Sequence, residues 1–138
     1  MYDERVSFET AMLAKAKGFD ELSPKVYSVR GSVRVLNYWE GEKEEHFDPT
    51  FEGFVRNSNL NDDLHDTVAT APTQALLQRW LRETHNIHIG VWFSVKEQNY
   101  NAHAYHGIDL EIESEVVYLG SYEAALEAGL MEALKLIK

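Results

Sequence analysis

Residues 71–95 read Ala-Pro-Thr-Gln-Ala-Leu-Leu-Gln-Arg-Trp-Leu-Arg-Glu-Thr-His and then Asn-Ile-His-Ile-Gly-Val-Trp-Phe-Ser-Val. In the first part Leu76, Leu77, Trp80 and Leu81 recur at the spacing that lines one side of a helix. From Ile87 onward the pattern alternates, with Ile87, Ile89, Val91, Phe93 and Val95 on one strand face and His88, Gly90, Trp92 and Ser94 on the other. The period changes across Asn86, so a helix that begins near Pro72, capped by Thr70 or Thr73, runs directly into a strand. A helix docked on a sheet is therefore expected at the centre of the fold.

Downstream, Gln98 and Asn99 mark a turn, a second strand is expected over 100–106, and a third over 108–112, resuming at 116–118. Ser121 caps a last helix whose stripe is Tyr122, Leu126, Leu130, Ala133 and Ile137, with Ala125 and Gly129 as a flat strip for close packing. Glu123 near its start and Lys135 and Lys138 near its end suit the helix dipole. Upstream, Ser7 caps a first helix with a stripe of Phe8, Met12, Leu13 and Ala16; Gly18 ends it, and Phe19 folds back on Leu13. Residues 26–30 and 33–39 flank Gly31-Ser32 and read as a hairpin with a two-residue turn. Residues 40–69 read as a long acidic and polar connection, the segment most prone to disorder, with a small apolar insert of Phe51, Phe54, Val55 and Leu60.

The expectation is one α+β domain over 1–138: a helix and hairpin over 1–39, the connection over 40–69, and a core over 71–138 in α-β-β-β-α order. The expected sheet is a single antiparallel one of about five strands, with helices packed mainly on one face. A chain of 138 residues with 44% hydrophobic and 12% aromatic content is long and apolar enough to bury a core.

The net charge of −10 disfavours phosphate backbones and anionic membranes and leaves basic proteins as partners. With no cysteine, disulfides and thiolate metal sites are excluded. The first residues, Met-Tyr-Asp-Glu-Arg, do not read as a secretory signal, and no apolar run approaches the ~20 residues of a membrane span, so a cytoplasmic protein is expected. The order helix, three strands, helix matches the double-stranded RNA-binding domain. Such domains, however, place basic side chains at the start of the last helix, where this chain has Glu123 and Glu127. RNA binding is therefore disfavoured.

A set of words stands out: Ala71-Pro72-Thr73-Gln74, Trp80-Leu81-Arg82-Glu83, His85-Asn86-Ile87-His88-Ile89 and residues 121–130, with Phe8-Glu9-Thr10-Ala11 and Lys17-Gly18-Phe19-Asp20. The set resembles small uncharacterised proteins of phages, prophages and other mobile elements of Bacteroidota. It covers the first helix and most of 71–138, but not 40–69. The resemblance implies an accessory protein of a mobile element and supplies no catalytic residues.

Chemistry-bearing motifs are few. His85 and His88, like His103 and His106, are three apart, which helps chelation on a helix but points the rings to opposite faces on a strand. Asp62-Asp63-Leu64-His65-Asp66 lacks the pattern of a calcium loop and reads as solvated. There is no Gly-x-Ser-x-Gly word and no Gly-rich phosphate loop. Glu111 and Glu113 could pair as catalytic carboxylates, but with Asp109 they read more simply as the wet face of a strand. No metal and no cofactor are expected.

One constellation remains. Small Ala102 and Ala104 point to a helix lying over them, which puts them on the core face with Ile89 and Val91. The opposite face then carries His88, Trp92, Asn101, His103, Tyr105 and Glu111. Three readings compete: burial under the hairpin with Tyr38 and Trp39, a surface for a partner protein or a second copy, and a small-ligand or hydrolytic site. The leading expectation is a non-enzymatic protein–protein interaction module, its partner host-derived in the mobile-element setting, with His88, Trp92, His103, Tyr105 and Glu111 as contacts. The alternatives are an acidic decoy of a host nucleic-acid-binding protein, built on the acids of 40–48 and the strand, and a hydrolase using the His/Glu face.

Overall fold

The fold is described from a computed structural model covering residues 4–35, 56–60, 67–107, 114–118 and 121–137. Its helices are α1 (Phe8–Ala16), α2 (Gln74–His85) and α3 (Tyr122–Lys135). Its strands are β1 (Lys25–Ser28), β2 (Val33–Val35), β3 (Thr67–Thr70), β4 (Ile87–Ser94), β5 (Asn99–His106) and β6 (Ser114–Tyr118). The architecture is α+β.

The strands form two separate three-stranded antiparallel sheets, in order β2-β1-β3 and β4-β5-β6. This corrects the expectation of a single sheet of about five strands. The reason lies in β3. Thr67-Val68-Ala69-Thr70 pairs with the free side of β1, so the hairpin completes its own small sheet instead of extending the larger one. Part of the expected connection over 40–69 is thus built into the fold. Asn57, in a single 3₁₀ turn, secures it: the buried amide donates to Phe19 O at 2.7 Å and accepts from Thr70 N at 2.8 Å. Residues 36–55 and 61–66, with the expected continuation of the hairpin to Trp39, lie outside the described residues.

The helix caps form as their residue types dictate. Ser7 accepts from Thr10 N, Thr73 from Leu76 N and Ser121 from Ala124 N. α1 ends in a Schellman motif: Gly18 takes φ 97°, and Phe19 N–H reaches back to Ala14 O at 2.9 Å. The Phe19 ring then meets Trp80 edge-on, with centroids 5.2 Å apart. The buried side of α1 is Thr10, Ala11 and Ala14, while Met12 is 38% exposed, so the expected stripe is turned. Small residues win there because α1 packs against α3 and β3 and must come close. The hairpin turn is wider than two residues: Val29, Arg30, Gly31 and Ser32 bridge the paired ends, Gly31 at φ 84° and Ser28 Oγ accepting from Arg30 N and Ser32 N.

The core sits between the β4-β5-β6 sheet and α2 with α3, around Leu77, Leu81, Ile87, Ala104, Leu130 and Leu134. Ala102 and Ala104 do lie under a helix. A methyl group built on Gly129 of α3 would come 2.9 Å from Ile89 Cγ2 and 3.2 Å from Ala102 Cβ, closer than atoms tolerate. Gly129→Val is accordingly expected to destabilise the fold by about 2–3 kcal/mol, since the overpacked contact cannot relax into Ala102. The midpoint of urea unfolding, at unchanged slope, measures it.

Candidate functional site

The alternation of β4 and β5 sends their side chains to two faces. Ile87, Ile89 and Val91 with Ala102 and Ala104 face α2 and α3, while His88, Gly90 and Trp92 with Asn101, His103 and Tyr105 occupy the other side. In the β4–β5 register His88 stands across from Tyr105, Gly90 from His103 and Trp92 from Asn101. The rings form a continuous ladder. His88 stacks on Tyr105 at 5.7 Å and 19°; His103 lies 5.2 Å from Tyr105 and 4.9 Å from Trp92.

Gly90 makes the ladder continuous. A side chain there would start 2.7 Å from His103 Nε2, so the missing Cβ is the seat of the imidazole. His88 is held at the other end by Asn86, whose Oδ1 lies 2.9 Å from His88 Nε2. Asn86 itself sits in the left-handed region, φ 54°, where helix turns into strand. Trp92 is 40% exposed; His88, His103 and Tyr105 are half-buried. Beneath the rings Asn99 and Asn101 are buried, and Asn99 Oδ1, Asn101 Oδ1 and His103 Nδ1 have no hydrogen-bond partner.

The structure therefore brings together four of the five expected contact residues: His88, Trp92, His103 and Tyr105. The fifth, Glu111, lies outside the described residues. The register of β6 instead places Glu115 across from His103. Tyr38 and Trp39, the expected cover, also lie outside the described residues, and the helices on this sheet, α2 and α3, pack on its other side. The expected inner face ends early: Phe93 is 43% exposed and packs on Tyr100, 5.0 Å away, and Val95 belongs to the turn.

His88 is engaged with Asn86 and Tyr105, whereas His85 packs on Trp80 at 4.8 Å. Among the described residues no group of three or more His, Asp or Glu could hold a metal ion. Asp62–Asp66 falls outside them. No helix of the described residues is long and apolar enough to cross a membrane.

A second site was not visible in the sequence. The segment before α1, the start of α2 and the start of α3 enclose a cleft of 590 Å³, lined by Arg5, Tyr27, Gln74, Glu123 and Glu127 among others. Glu127 forms its floor. That carboxylate accepts from Ser7 N at 2.9 Å, from the Thr10 hydroxyl and from Gln74 Nε2 at 3.1 Å. Its partners lie more than 50 residues away in sequence, and no local pattern marks it; in sequence Glu127 reads only as an acid where an RNA-binding domain would be basic. The Tyr27 hydroxyl donates to Val6 O at the cleft wall. Burial raises its pKa above 10.0, the Glu127 carboxylate adds to the rise, Arg5 opposes it, and Glu9 contributes least.

Comparison of the chain with known protein families, with characterised proteins and with solved structures gives no match.

The Tyr27 shift has a sign that can be measured. Raising the folded-state pKa of an acid keeps it protonated in the native state, so its contribution is complete below the ordinary tyrosine value of 10.0 and is lost as pH rises through the folded value. Stability from urea unfolding at pH 8 and above pH 10 is expected to fall more steeply for the native chain than for Tyr27→Phe. Parallel pH profiles would show that the phenol is not linked to folding.

Proposed function

We propose that this chain is a non-enzymatic interaction module that binds a basic partner protein through the ring face of β4 and β5. The observation that carries the reading is the ladder His88–Tyr105–His103–Trp92, on the side of the sheet away from α2 and α3. Flat, half-exposed aromatic rings are the side chains on which interface energy concentrates.

The partner chemistry follows from charge and stacking. A net charge of −10 attracts cations at long range and repels a second copy of the same chain. Of the two basic side chains, arginine lays a planar guanidinium on aromatic rings and donates to several acceptors at once, which lysine cannot do. Asn101, across from Trp92, and His103 lie in the same row. The occupant is thus an arginine-bearing segment. In the mobile-element setting that the sequence words evoke, the partner is a host protein and the chain an accessory factor in the cytoplasm.

The hydrolase reading lacks support of this kind: the clefts of 590 and 370 Å³ are not lined by His88, Trp92, His103 or Tyr105. The decoy reading rests on the acids of 40–48 and on Asp109, Glu111 and Glu113, all outside the described residues.

The test uses two peptides of equal length and charge, one rich in arginine and one in lysine, titrated against the native chain and Trp92→Ala/Tyr105→Ala. The arginine peptide is expected to bind at least about tenfold more tightly than the lysine peptide, and the double substitution to remove that preference. Because the variant keeps its full charge, equal binding of both peptides to native and variant chains would reduce the effect to bulk electrostatics and overturn the reading.

A further inference from the structure

The cleft at the start of the three helices holds opposite charges that are only partly satisfied. Arg5 is positioned by the main chain on both sides: Glu4 O accepts from Gln74 N at 2.7 Å, Val6 N donates to Pro72 O at 3.0 Å, and Arg5 itself bridges Thr73. Its Nε is shielded from solvent yet bonded to nothing. A buried guanidinium donor left unpaired is costly, and the acceptor that fits its fork is a carboxylate. The carboxylate already present is committed elsewhere. Glu127 takes its bonds from Ser7, Thr10 and Gln74, not from Arg5.

Ser121, Glu123 and Ala124 also line the cleft, at the first turn of α3. Ser121 satisfies Ala124 N–H, but the earlier amides of that turn have no acceptor within the helix, and they too favour a carboxylate. A simple anion is nevertheless a poor ligand, because Glu4, Glu123 and Glu127 line the same space. A simple cation is equally poor beside Arg5. A carboxylate has about four acceptor positions, and the three donors on Glu127 leave one for an ammonium group. The volume of 590 Å³ lies within the range of small-ligand sites.

We infer that this cleft binds a free α-amino acid, its carboxylate held by Arg5 and the first-turn amides of α3, and its ammonium by Glu127 and Glu123. The site shares no residue with the ring face, so each reading stands or falls alone.

The experiment titrates each proteinogenic amino acid in turn into the full chain by calorimetry, with thermal unfolding as a second readout. Acetate and methylammonium serve as half-ligand controls. At least one amino acid is expected to bind and to raise the melting temperature, with neither control doing so at the same millimolar concentration. Arg5→Gln leaves the main-chain bonds of residues 4–6 intact and is expected to weaken binding at least about tenfold. Arg5→Lys, which keeps the charge but loses Nε, is expected to weaken it similarly. The inference is overturned by silence from every amino acid, by acetate binding as well as they do, or by a folded Arg5→Gln chain that binds as the native one does.

Discussion

The approach of α3 to the sheet at Gly129 sets the geometry on which the rest of the structure depends. With Ile89 and Ala102 already in contact range of a missing methyl, the helix lies as low on β4 and β5 as the two backbones allow. With Ile89 and Val91 of β4 already filling the space beneath the helix, the paired inner row of β5 is small, Ala102 and Ala104. The strand period then does the sorting. The rings of β4 and β5 then point the other way, and it is there that Trp92, His103, Tyr105 and His88 meet. The same device recurs on a smaller scale, since His103 reaches Trp92 only because Gly90 has no side chain.

Glu127 does for the helix ends what Gly129 does for the sheet. One carboxylate, one turn into α3, collects the main-chain N–H of the α1 cap, a hydroxyl from the first turn of α1 and an amide from the first residue of α2. Bonds to a charged acceptor are worth about 1.5–3 kcal/mol each, and their value is greatest where water is scarce. Gln74 joins the two helices a second time by donating to Glu123 O at 2.9 Å. The price is a carboxylate beside Tyr27, whose proton it helps to hold in place.

Much of this was legible in the chain, for reasons specific to each element. The junction of α2 and β4 shows itself because a change of period needs no outside information, and Ser7, Thr73 and Ser121 cap their helices through bonds only three residues long. The two faces of β4 and β5 follow from alternation and from two alanines. What failed were statements that depend on distant contacts. α1 turned its small side inward because α3 is its neighbour, which nothing within 8–16 encodes. β3 was lost inside a polar stretch because Thr67-Val68-Ala69-Thr70 acquires strand character only against the free edge of β1. Without β3, the hairpin had nowhere to go except onto the larger sheet. The cleft was hidden more completely, since Arg5, Tyr27, Gln74 and Glu127 each have an ordinary local reading and become a site only when brought together.

On the proposed reading of the ring face, charge and shape divide the labour of recognition between them. The acids that give the chain its −10 are spread along the sequence, whereas β4 and β5 contribute no carboxylate to the ring face. A diffuse negative field attracts any cation and fades within about 8–10 Å in physiological salt, so by itself it selects nothing. The rings act only at contact, and they discriminate by planarity rather than charge. On the proposed reading a ligand is cationic to arrive and flat to stay, a combination met by a guanidinium group and not by an ammonium group. In the cleft at the start of the helices the inferred order is reversed: charges of both signs line it, and the inferred ligand is selected by the spacing of its own two charges. If both proposals hold, one small α+β chain presents two surfaces whose selection rules do not overlap, one written in the outer row of a sheet and the other in the converging ends of three helices.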